Sequence, residues 1–504
     1  MQRLGIIKFL LPGLILLYNC QGVFSQRKET RVQYAAQISE VDKKIGRGAQ
    51  RLLGDVVFTH EGSKMYCDSA YFYSKTNSLD AYNNIYINQG DTVFLYGDFL
   101  HYDGKSRLAE VTGRQVKLID DETILTTTRL DYNLQNSLGY YMQYAHVVNQ
   151  ENTLESNIGY YYAKKETFHF SDSVKVTTPD YTIYSDTLKY HTKTGIATFL
   201  GPTDMIGDSS HIYCEKGWYD SKNEIAELED NAWADNMKQL VKGDYILYNK
   251  ASGEGFARHN VEITDKEKDI ILTGNIARYN DSTEYAYMTD SAQFIQFSET
   301  DTLFLHADSL KTFPDTSGQK VLQAFKNARF YRQNVQGLSD SIVYTFVDSI
   351  ARLYGNPVLW REQNQISAET IDLITKNQLI DKMILKRDAF ISSKEDDTAS
   401  FNQIKGKDMV CFFENSQLVK IEVDGNGQTI YYAKEDDEIV GVNKVECSRM
   451  IMHFKDNDVT HINFYQNPKG VLYPLDQAPE NELILKGFEW KEALRPKNRY
   501  DIFK

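Results

Sequence analysis

The sequence predicts an all-β fold in which short strands stack as a solenoid-like repeat, and two observations support this prediction. The composition favours half-buried strands, with 34 Tyr and 25 Phe against only 9 Pro in 504 residues. A three-residue motif also recurs along the chain, mostly at intervals of about 28 to 33 residues. It consists of an acidic or small residue, an apolar residue two positions later and usually an aromatic residue two positions after that.

The motif is repeated from residue 68 to residue 454. Its copies are Asp68-Ala70-Phe72, Asp98-Leu100-Tyr102, Thr128-Leu130-Tyr132, Ser156-Ile158-Tyr160, Asp186-Leu188-Tyr190, Glu215-Gly217-Tyr219, Asp244-Ile246-Tyr248, Asn275-Ala277-Tyr279, Asp308-Leu310-Thr312, Asp340-Ile342-Tyr344, Glu369-Ile371-Leu373, Asp408-Val410-Phe412 and Ser448-Met450-Met452-Phe454. Because side chains alternate between the faces of a strand, this spacing predicts that all three motif residues lie on one side. A turn and a second strand follow each copy, as at 103–105 and 196–200. One such unit cannot bury its apolar face alone, so the copies must stack around a shared interior.

The N-terminus has the features of an export signal. Arg3 and Lys8 precede or flank an apolar run at 9–17 that is too short to span a bilayer. Small residues favour cleavage before Gln26, which makes 1–25 a signal peptide; lipid modification of Cys20 is the alternative. No later stretch approaches the ~20 apolar residues of a membrane helix. The mature chain is therefore expected outside the cytoplasm, free or peripherally attached to a membrane.

Net charge and cysteine content narrow the function further. A formal charge of −14 argues against nucleic acid as a partner, because phosphate binding needs clustered Lys and Arg. Four cysteines remain after cleavage, which in an oxidising compartment suggests disulfides. However, Cys67, Cys214 and Cys447 fall near the same repeat position, and stacked repeats would hold them too far apart for a bridge. Buried free thiols are therefore expected.

Several segments resemble a known family. Gly-Asp-Phe-Leu-His-Tyr at 97–102, followed by a turn and Leu-Ala-Glu-Val-Thr-Gly at 108–113, resembles two successive strands of the OstA/LptA family of periplasmic lipopolysaccharide-transport proteins. Gly-Asp-Val-Val-Phe at 54–58 resembles another segment of that family, and 307–360 resembles it at greater length. The motif is short, but it recurs from about residue 50 to 465. The resemblance implies a long, open, twisted β-jellyroll of stacked antiparallel strands.

The resemblance also implies a domain arrangement and a function. A leader at 26–45 precedes jellyroll repeats at 46–300, a second, continuous jellyroll segment at 301–465 and a tail at 466–504 that caps the last strand or docks a partner. Acyl chains of lipopolysaccharide or a related glycolipid would lie in the groove, and other transport proteins would join end to end by β-augmentation. No cofactor or metal is implied. The candidate groove residues are Leu100, Tyr102, Leu130, Tyr132, Leu188, Tyr190, Ile246, Tyr248, Ile342 and Tyr344.

Two other classes of protein fit the repeat. A β-helical scaffold or adhesin would fill its interior with side chains, and a carbohydrate-active β-helix would use the recurring Asp as catalytic carboxylates. No metal-protease, serine-hydrolase or paired Cys-x-x-Cys motif is found in the sequence, so we expect no enzyme. The regular Asp is expected to bond turn N–H groups instead. The calcium-loop-like segment at 424–427 is expected to be a hairpin turn.

Overall fold

The computed structural model describes residues 31–41, 48–298, 301–376, 379–395, 400–415, 417–435, 438–455 and 458–504. The predicted signal peptide, its cleavage site and Cys20 lie outside these residues. Strands make up 72% of the structure and helices 3%, which confirms the predicted all-β fold. In the described ranges, no helix combines the length and apolarity needed to cross a membrane.

The described residues form 38 strands in one hydrogen-bonded sheet. The strands are β1 Gln33–Ala35, β2 Ile38–Glu40, β3 Ala49–His60, β4 Ser63–Tyr73, β5 Ser78–Gln89, β6 Val93–Asp103, β7 Leu108–Asp120, β8 Thr123–Asn133, β9 Leu138–Tyr141, β10 Ala145–Asn149, β11 Asn152–Ser156, β12 Ile158–Tyr162, β13 Thr167–Thr177, β14 Thr182–His191, β15 Ile196–Phe199, β16 Thr203–Ile206, β17 Ser210–Cys214, β18 Lys216–Asp220, β19 Ile225–Asn236, β20 Gln239–Asn249, β21 Glu254–Asp265, β22 Ile270–Asn280, β23 Tyr285–Thr289, β24 Gln293–Phe297, β25 Thr302–His306, β26 Ser309–Pro314, β27 Lys320–Arg332, β28 Val335–Thr345, β29 Ile350–Tyr354, β30 Val358–Arg361, β31 Asn364–Ser367, β32 Thr370–Lys376, β33 Leu379–Lys394, β34 Phe401–Glu414, β35 Gln417–Glu435, β36 Glu438–Lys455, β37 Asp458–Tyr465 and β38 Lys469–Pro474. Short 3₁₀ helices occur at Ala163–Lys165, Leu475–Gln477, Glu480–Glu482, Glu492–Leu494 and Asp501–Phe503.

The sheet is an antiparallel meander that folds over on itself. A register shift lies near the middle of each long strand, as between Tyr82 and Ile85 of β5, and bends the strand there. The half-strands on one side of the bend form layer A, and those on the other side form layer B. Layer A contains the second half of β5 and the first half of β6, and layer B contains their other halves. The hairpin turns of the two layers face each other opposite the bend, along an edge that we call the mouth.

The bend is built from paired residues in the left-handed region. In β5 these are Asn83 and Asn84, with φ of 63° and 49°, a conformation that Asn tolerates better than most residues. The motif carboxylate of the adjacent strand secures the bend: Asn84 Nδ2 donates to Asp68 at 2.9 Å, and the Arg114 N–H donates to Asp98 at 2.9 Å. The Asp therefore has a structural role, as expected, although its partner is a bend and not a hairpin turn.

Two expectations about this region are wrong. The motif acid was predicted to share the inner face with the apolar and aromatic residues, but Asp98 is exposed whereas Leu100 and Tyr102 are buried. The register shift next to Asp98 interrupts the two-residue alternation that the prediction assumed. The segment at 424–427 is likewise a bend within β35, with φ of 77° at Gly425 and 55° at Asn426, and not a hairpin turn.

Cross-strand register aligns the inner residues of each layer in one long row. Inner row A, in layer A, contains Phe58, Met65, Ile87, Leu95, Leu118, Leu125, Val147, Leu154, Val176, Ile183, Met205, Ile212, Ala234, Val241, Ile263, Leu272, Phe294, Leu305, Phe330, Gly337, Leu359, Ile366, Ile391, Ile404, Thr429 and Val445. Each member is the direct pairing partner of the next one. The row lines one wall of the interior along nearly the whole molecule.

Inner row B lines the opposite wall in layer B. It contains Phe72, Leu79, Tyr102, Ala109, Tyr132, Gly139, Tyr161, Phe168, Tyr190, Ala197, Tyr219, Ala226, Tyr248, Gly255, Tyr279, Ala286, Thr312, Leu322, Tyr344, Ala351, Leu373, Met383, Cys411, Ile421 and Met452. Most of the motif aromatics belong to this row. In its first part they alternate with Ala or Gly.

The cysteines have the predicted state. Cys67, Cys214, Cys411 and Cys447 are all buried and free. Burial raises the pKa of the Cys67, Cys214 and Cys411 thiols to about 12. A thiol with so high a pKa carries almost no thiolate at neutral pH, so these side chains act as small packing residues.

The C-terminal tail lies along the outer face of layer A after β38 has paired with β36. Buried glutamines of successive repeats hold it. Gln403 donates to the Leu483 carbonyl at 2.9 Å and accepts from the Leu485 N–H at 2.8 Å, and Gln365 makes the same pair of bonds further along the tail. Trp360, which pairs with Gln365, is 0% exposed on this face. The tail thus covers the outside of layer A near β25 to β36.

Candidate functional site

All ten candidate groove residues lie on the inner side of layer B. Seven of them are almost or completely buried: Leu100, Leu130 and Leu188 at 0% exposure, Tyr102 and Tyr132 at 1%, Tyr190 at 3% and Ile342 at 5%. Ile246 is 6% exposed, and Tyr248 and Tyr344 are half-buried. These residues do not share one environment, because the interior changes along the chain.

In the first part of the molecule, the alternation of aromatic and small residues fills the interior. The ring of Tyr132 covers Gly139, where an added Cβ would lie 3.3 Å from the ring. Further along, a Cβ at Gly255 would lie 2.1 Å from the ring of Tyr279. The small residues in inner row B therefore make room for neighbouring tyrosines and leave no slot for a ligand.

Tyrosine hydroxyls also close the mouth in this part. Tyr132 donates to Gln89 at 2.6 Å, and Tyr161 donates to Asp120 at 2.6 Å. The Tyr102 hydroxyl lies 2.6 Å from His60 Nδ1 in the same arrangement.

Tyr190 forms the fourth such bond, donating to Asn149 at 3.0 Å. In every pair the tyrosine is on layer B and its partner is at the end of a strand in layer A, 41 to 43 residues earlier. We call these four bonds the tyrosine latches and β3 to β14 the latched section.

Burial keeps the latch tyrosines protonated. It raises the pKa of the Tyr102, Tyr132 and Tyr161 phenols well above the usual range, so they remain hydrogen-bond donors at any physiological pH. Burial also raises the pKa of Asp120, although the hydrogen bond from Tyr161 opposes that rise. The charged carboxylate at this position is stabilised by the hydrogen bond from Tyr161, because it is partly removed from water.

The latches end after Tyr190. Tyr219 packs edge-on against Tyr181 at 6.1 Å, and the hydroxyls of Tyr248 and Tyr279 both donate to Asp281 at the neighbouring turn. Beyond Ala286, inner row B has few aromatic residues: its next members are Thr312, Leu322, Tyr344, Ala351 and Leu373. The side chains of this row are smaller here, and space remains between the layers.

A first cavity of about 180 Å³ lies between the layers at this point. Its apolar lining comes from both layers: Phe294, Leu303, Leu305 and Phe330 of layer A, and Leu322, Ile342, Tyr344, Ala351, Leu353 and Leu373 of layer B. Asp301 and Arg332 form a 3.2 Å ion pair at its rim. Ile342 and Tyr344 are thus the candidate groove residues that line this cavity, whereas Leu100, Tyr102, Leu130, Tyr132, Leu188, Tyr190, Ile246 and Tyr248 lie elsewhere.

A second cavity of about 400 Å³ follows in the next repeats, from β30 to β37. Its layer A wall includes Ile366, Ile391 and Ile404 together with polar groups, namely Asn402, Thr429 and the Lys434–Glu395 ion pair at 2.6 Å. Its layer B wall is apolar, with Phe413, Ile421, Met452 and Phe454. Arg361 reaches from layer A to lie 5.2 Å from the ring centre of Phe413. We call β24 to β37, which contains both cavities, the open section.

Sequence reasoning missed most of the cavity lining, including Phe294, Phe330 and Leu373. The signal for them was present in the motif list, where the aromatic residue is replaced at Thr312 and Leu373. Substitution of a large ring by a smaller side chain in a stacked row removes volume, which predicts a cavity wherever the layers do not collapse. In the ranges that the structure describes, no group of three or more His, Cys, Asp or Glu side chains is arranged to hold a metal ion.

Two segments of the chain match known family models. Residues 30–186 match the family model of OstA-like proteins. Residues 259–379 match the model described as the LptA/(LptD N-terminal domain) LPS transport protein. No curated protein matches the chain significantly. The first match covers most of the latched section, and the second covers nearly all residues that line the first cavity.

Proposed function

Because the chain is an OstA-like protein of the lipopolysaccharide-transport families, we propose that its open section holds the acyl chains of lipopolysaccharide or a related glycolipid in transit towards the outer membrane. The first cavity is the observation that supports this role most strongly. Its lining is largely apolar on both layers, and it includes Ser298, Asp301 and Ser349, which lie next to the ends of β24, β25 and β29. Burial of each lipid methylene would contribute about 0.8 kcal/mol.

The same reasoning gives the latched section a structural role. Its interior is filled, and four hydrogen bonds join its layers, so it has the dry core expected of a scaffold. The protein would therefore combine a rigid, closed half with a lipid-binding half. This role requires no catalysis and places the chain in the periplasm, consistent with the predicted export signal.

Open strand edges at the two ends provide a route to partners. In the described residues, β37 and β38 pair with β36 on one side, and β1 and β2 pair with β3. The β38 edge carries the exposed side chains of Val471 and Leu472. Unpaired edges invite strand addition, so we propose end-to-end β-augmentation with other transport proteins.

A binding comparison tests the proposed function. The purified chain is expected to bind labelled lipopolysaccharide in equilibrium measurements and to bind the deacylated polysaccharide from the same preparation at least tenfold more weakly. The physical reason is that the first cavity offers apolar contacts and few groups that could recognise sugar. Equal binding of the two ligands would contradict acyl-chain recognition and favour a carbohydrate-binding surface instead.

A further inference from the structure

One position interrupts the apolar lining of layer A. From Phe58 to Val445, every described member of inner row A is apolar or glycine except Thr429. Its partners on the adjacent strands are Ile404 and Val445, which offer no side-chain hydrogen bond. Thr429 thus has a hydroxyl at a position of inner row A where the other described strands have an apolar side chain or glycine.

The Thr429 hydroxyl is buried and has no hydrogen-bond partner among the residues that the structure describes. The residue is 1% exposed, and its Oγ1 makes no hydrogen bond. Burying a hydroxyl without a partner costs about 1–3 kcal/mol, a cost that valine would avoid at the same volume. Thr203, at 0% exposure, is a buried threonine whose hydroxyl does have hydrogen-bond partners. It bonds to Ser185 at 2.8 Å and to the Gly201 carbonyl at 2.9 Å.

The location of Thr429 points to a ligand-binding role for its hydroxyl. It lines the second cavity, whose volume of about 400 Å³ lies in the range of ligand pockets. The layer A wall combines Ile366, Ile391 and Ile404 with the polar Asn402 and the Lys434–Glu395 pair, and the opposite wall is largely apolar, with Phe413 and Met452. A cavity whose polar groups lie mainly on one wall matches a ligand that has both polar and apolar parts.

We propose that the second cavity is a subsite for the oxygen-bearing part of an amphiphile, with the Thr429 hydroxyl donating a hydrogen bond to a ligand oxygen and the layer B wall contacting the adjoining hydrocarbon. This inference rests on the proposed function and deepens it, because it separates two subsites in one groove. The first cavity takes hydrocarbon alone. The second takes the stretch where hydrocarbon joins hydroxyl, ester or phosphate oxygen.

Thr429→Val tests this assignment, because valine keeps the shape and removes the hydroxyl. Lipopolysaccharide binding is expected to weaken roughly five- to tenfold, the usual value of one buried hydrogen bond. Binding of the apolar dye N-phenyl-1-naphthylamine is expected to stay unchanged. Because the hydroxyl makes no hydrogen bond within the described part of the chain, the melting temperature is expected to remain the same or rise. Thr203→Val is the matched control: it removes satisfied hydrogen bonds, so it should lower the melting temperature and leave lipopolysaccharide binding intact.

The outcomes separate the subsite from the proposed function. If the unsubstituted chain binds lipopolysaccharide and Thr429→Val binds it equally well, the hydroxyl serves at most an internal water and the subsite is refuted, while the proposed function stands. If the unsubstituted chain binds the dye but no lipopolysaccharide, the proposed function fails and the ligand class assigned here fails with it. A loss of dye binding in Thr429→Val would also contradict the assignment, since it would indicate a general collapse of the groove.

Discussion

Replacing Ala351 with phenylalanine is expected to weaken lipopolysaccharide binding by about 2 kcal/mol, roughly thirtyfold. Ala351 lies in inner row B between Tyr344 and Leu373 and lines the first cavity. A phenyl ring at this position would occupy the space of two or three lipid methylenes, each worth about 0.8 kcal/mol. Equilibrium binding of labelled lipopolysaccharide to the folded variant provides the measurement.

Val343→Phe is the matched control for this substitution. Val343 precedes Tyr344 in β28, the strand that pairs with the strand of Ala351. Its side chain is on the outer side of layer B, so the phenyl ring is added outside the cavity. We expect its binding to remain within twofold of that of the unsubstituted chain. Filling the cavity should also leave the melting temperature of Ala351→Phe unchanged or raised. Unimpaired binding by Ala351→Phe would mean that acyl chains do not occupy the first cavity.

Removing the latch hydroxyls is expected to destabilise the first half of the molecule. Tyr132→Phe should cost about 1 kcal/mol of unfolding free energy, and Tyr161→Phe about 2 kcal/mol, because Tyr161 bonds to a carboxyl group that is ionised at neutral pH. Denaturant unfolding measures the cost, and amide exchange should show faster opening of β3 to β14. Tyr344→Phe is the control, because its hydroxyl faces Ser349 within layer B and joins no layers.

The cost of Tyr161→Phe should depend on pH in a defined direction. Asp120 already has a raised pKa in the folded protein because of burial, so its ionisation destabilises the fold as the pH rises through that pKa. Loss of the Tyr161 hydrogen bond raises the pKa of Asp120 further. The variant should therefore be most destabilised at neutral pH and approach the unsubstituted chain when the carboxyl is protonated in acid. An equal cost at pH 7 and pH 4 would contradict a latch that acts through the carboxylate.

Much of the fold was predictable because the repeat is regular. The alternation of Leu100 and Tyr102 correctly placed both residues inside, and the same logic held for most other motif copies. It was wrong for the copies at 156–160 and 408–412, where Tyr161 and Cys411, and not Tyr160 and Phe412, lie in inner row B. The position of Asp98 was not predictable from alternation, because the register shift beside it reverses the inner face in the middle of the strand. Paired left-handed residues such as Asn83-Asn84 are the sequence signal for that bend, but Asn pairs also occur in ordinary turns.

The structural division into a latched section and an open section was harder to foresee. The partners of the latches, such as Gln89 and Asn149, stand at strand ends next to turns, where polar residues are ordinary. Their role depends on which residues of layer B face them. The fold brings these residues together from more than 40 positions away in the sequence. The open section was easier to predict from the sequence, since the aromatic residue is absent from the motif copies at Thr312 and Leu373.

We propose that lipid occupies the open section and is excluded from the latched section. In-cell photocrosslinking tests it most directly, with probes at Tyr344 in the first cavity, at Tyr102 and Tyr190 in the latched section, and at the outward-facing His101 and Lys189. We expect lipopolysaccharide adducts at Tyr344 and none at the other four positions. Adducts at Tyr102 or Tyr190 as strong as those at Tyr344, or no adduct at Tyr344, would contradict it.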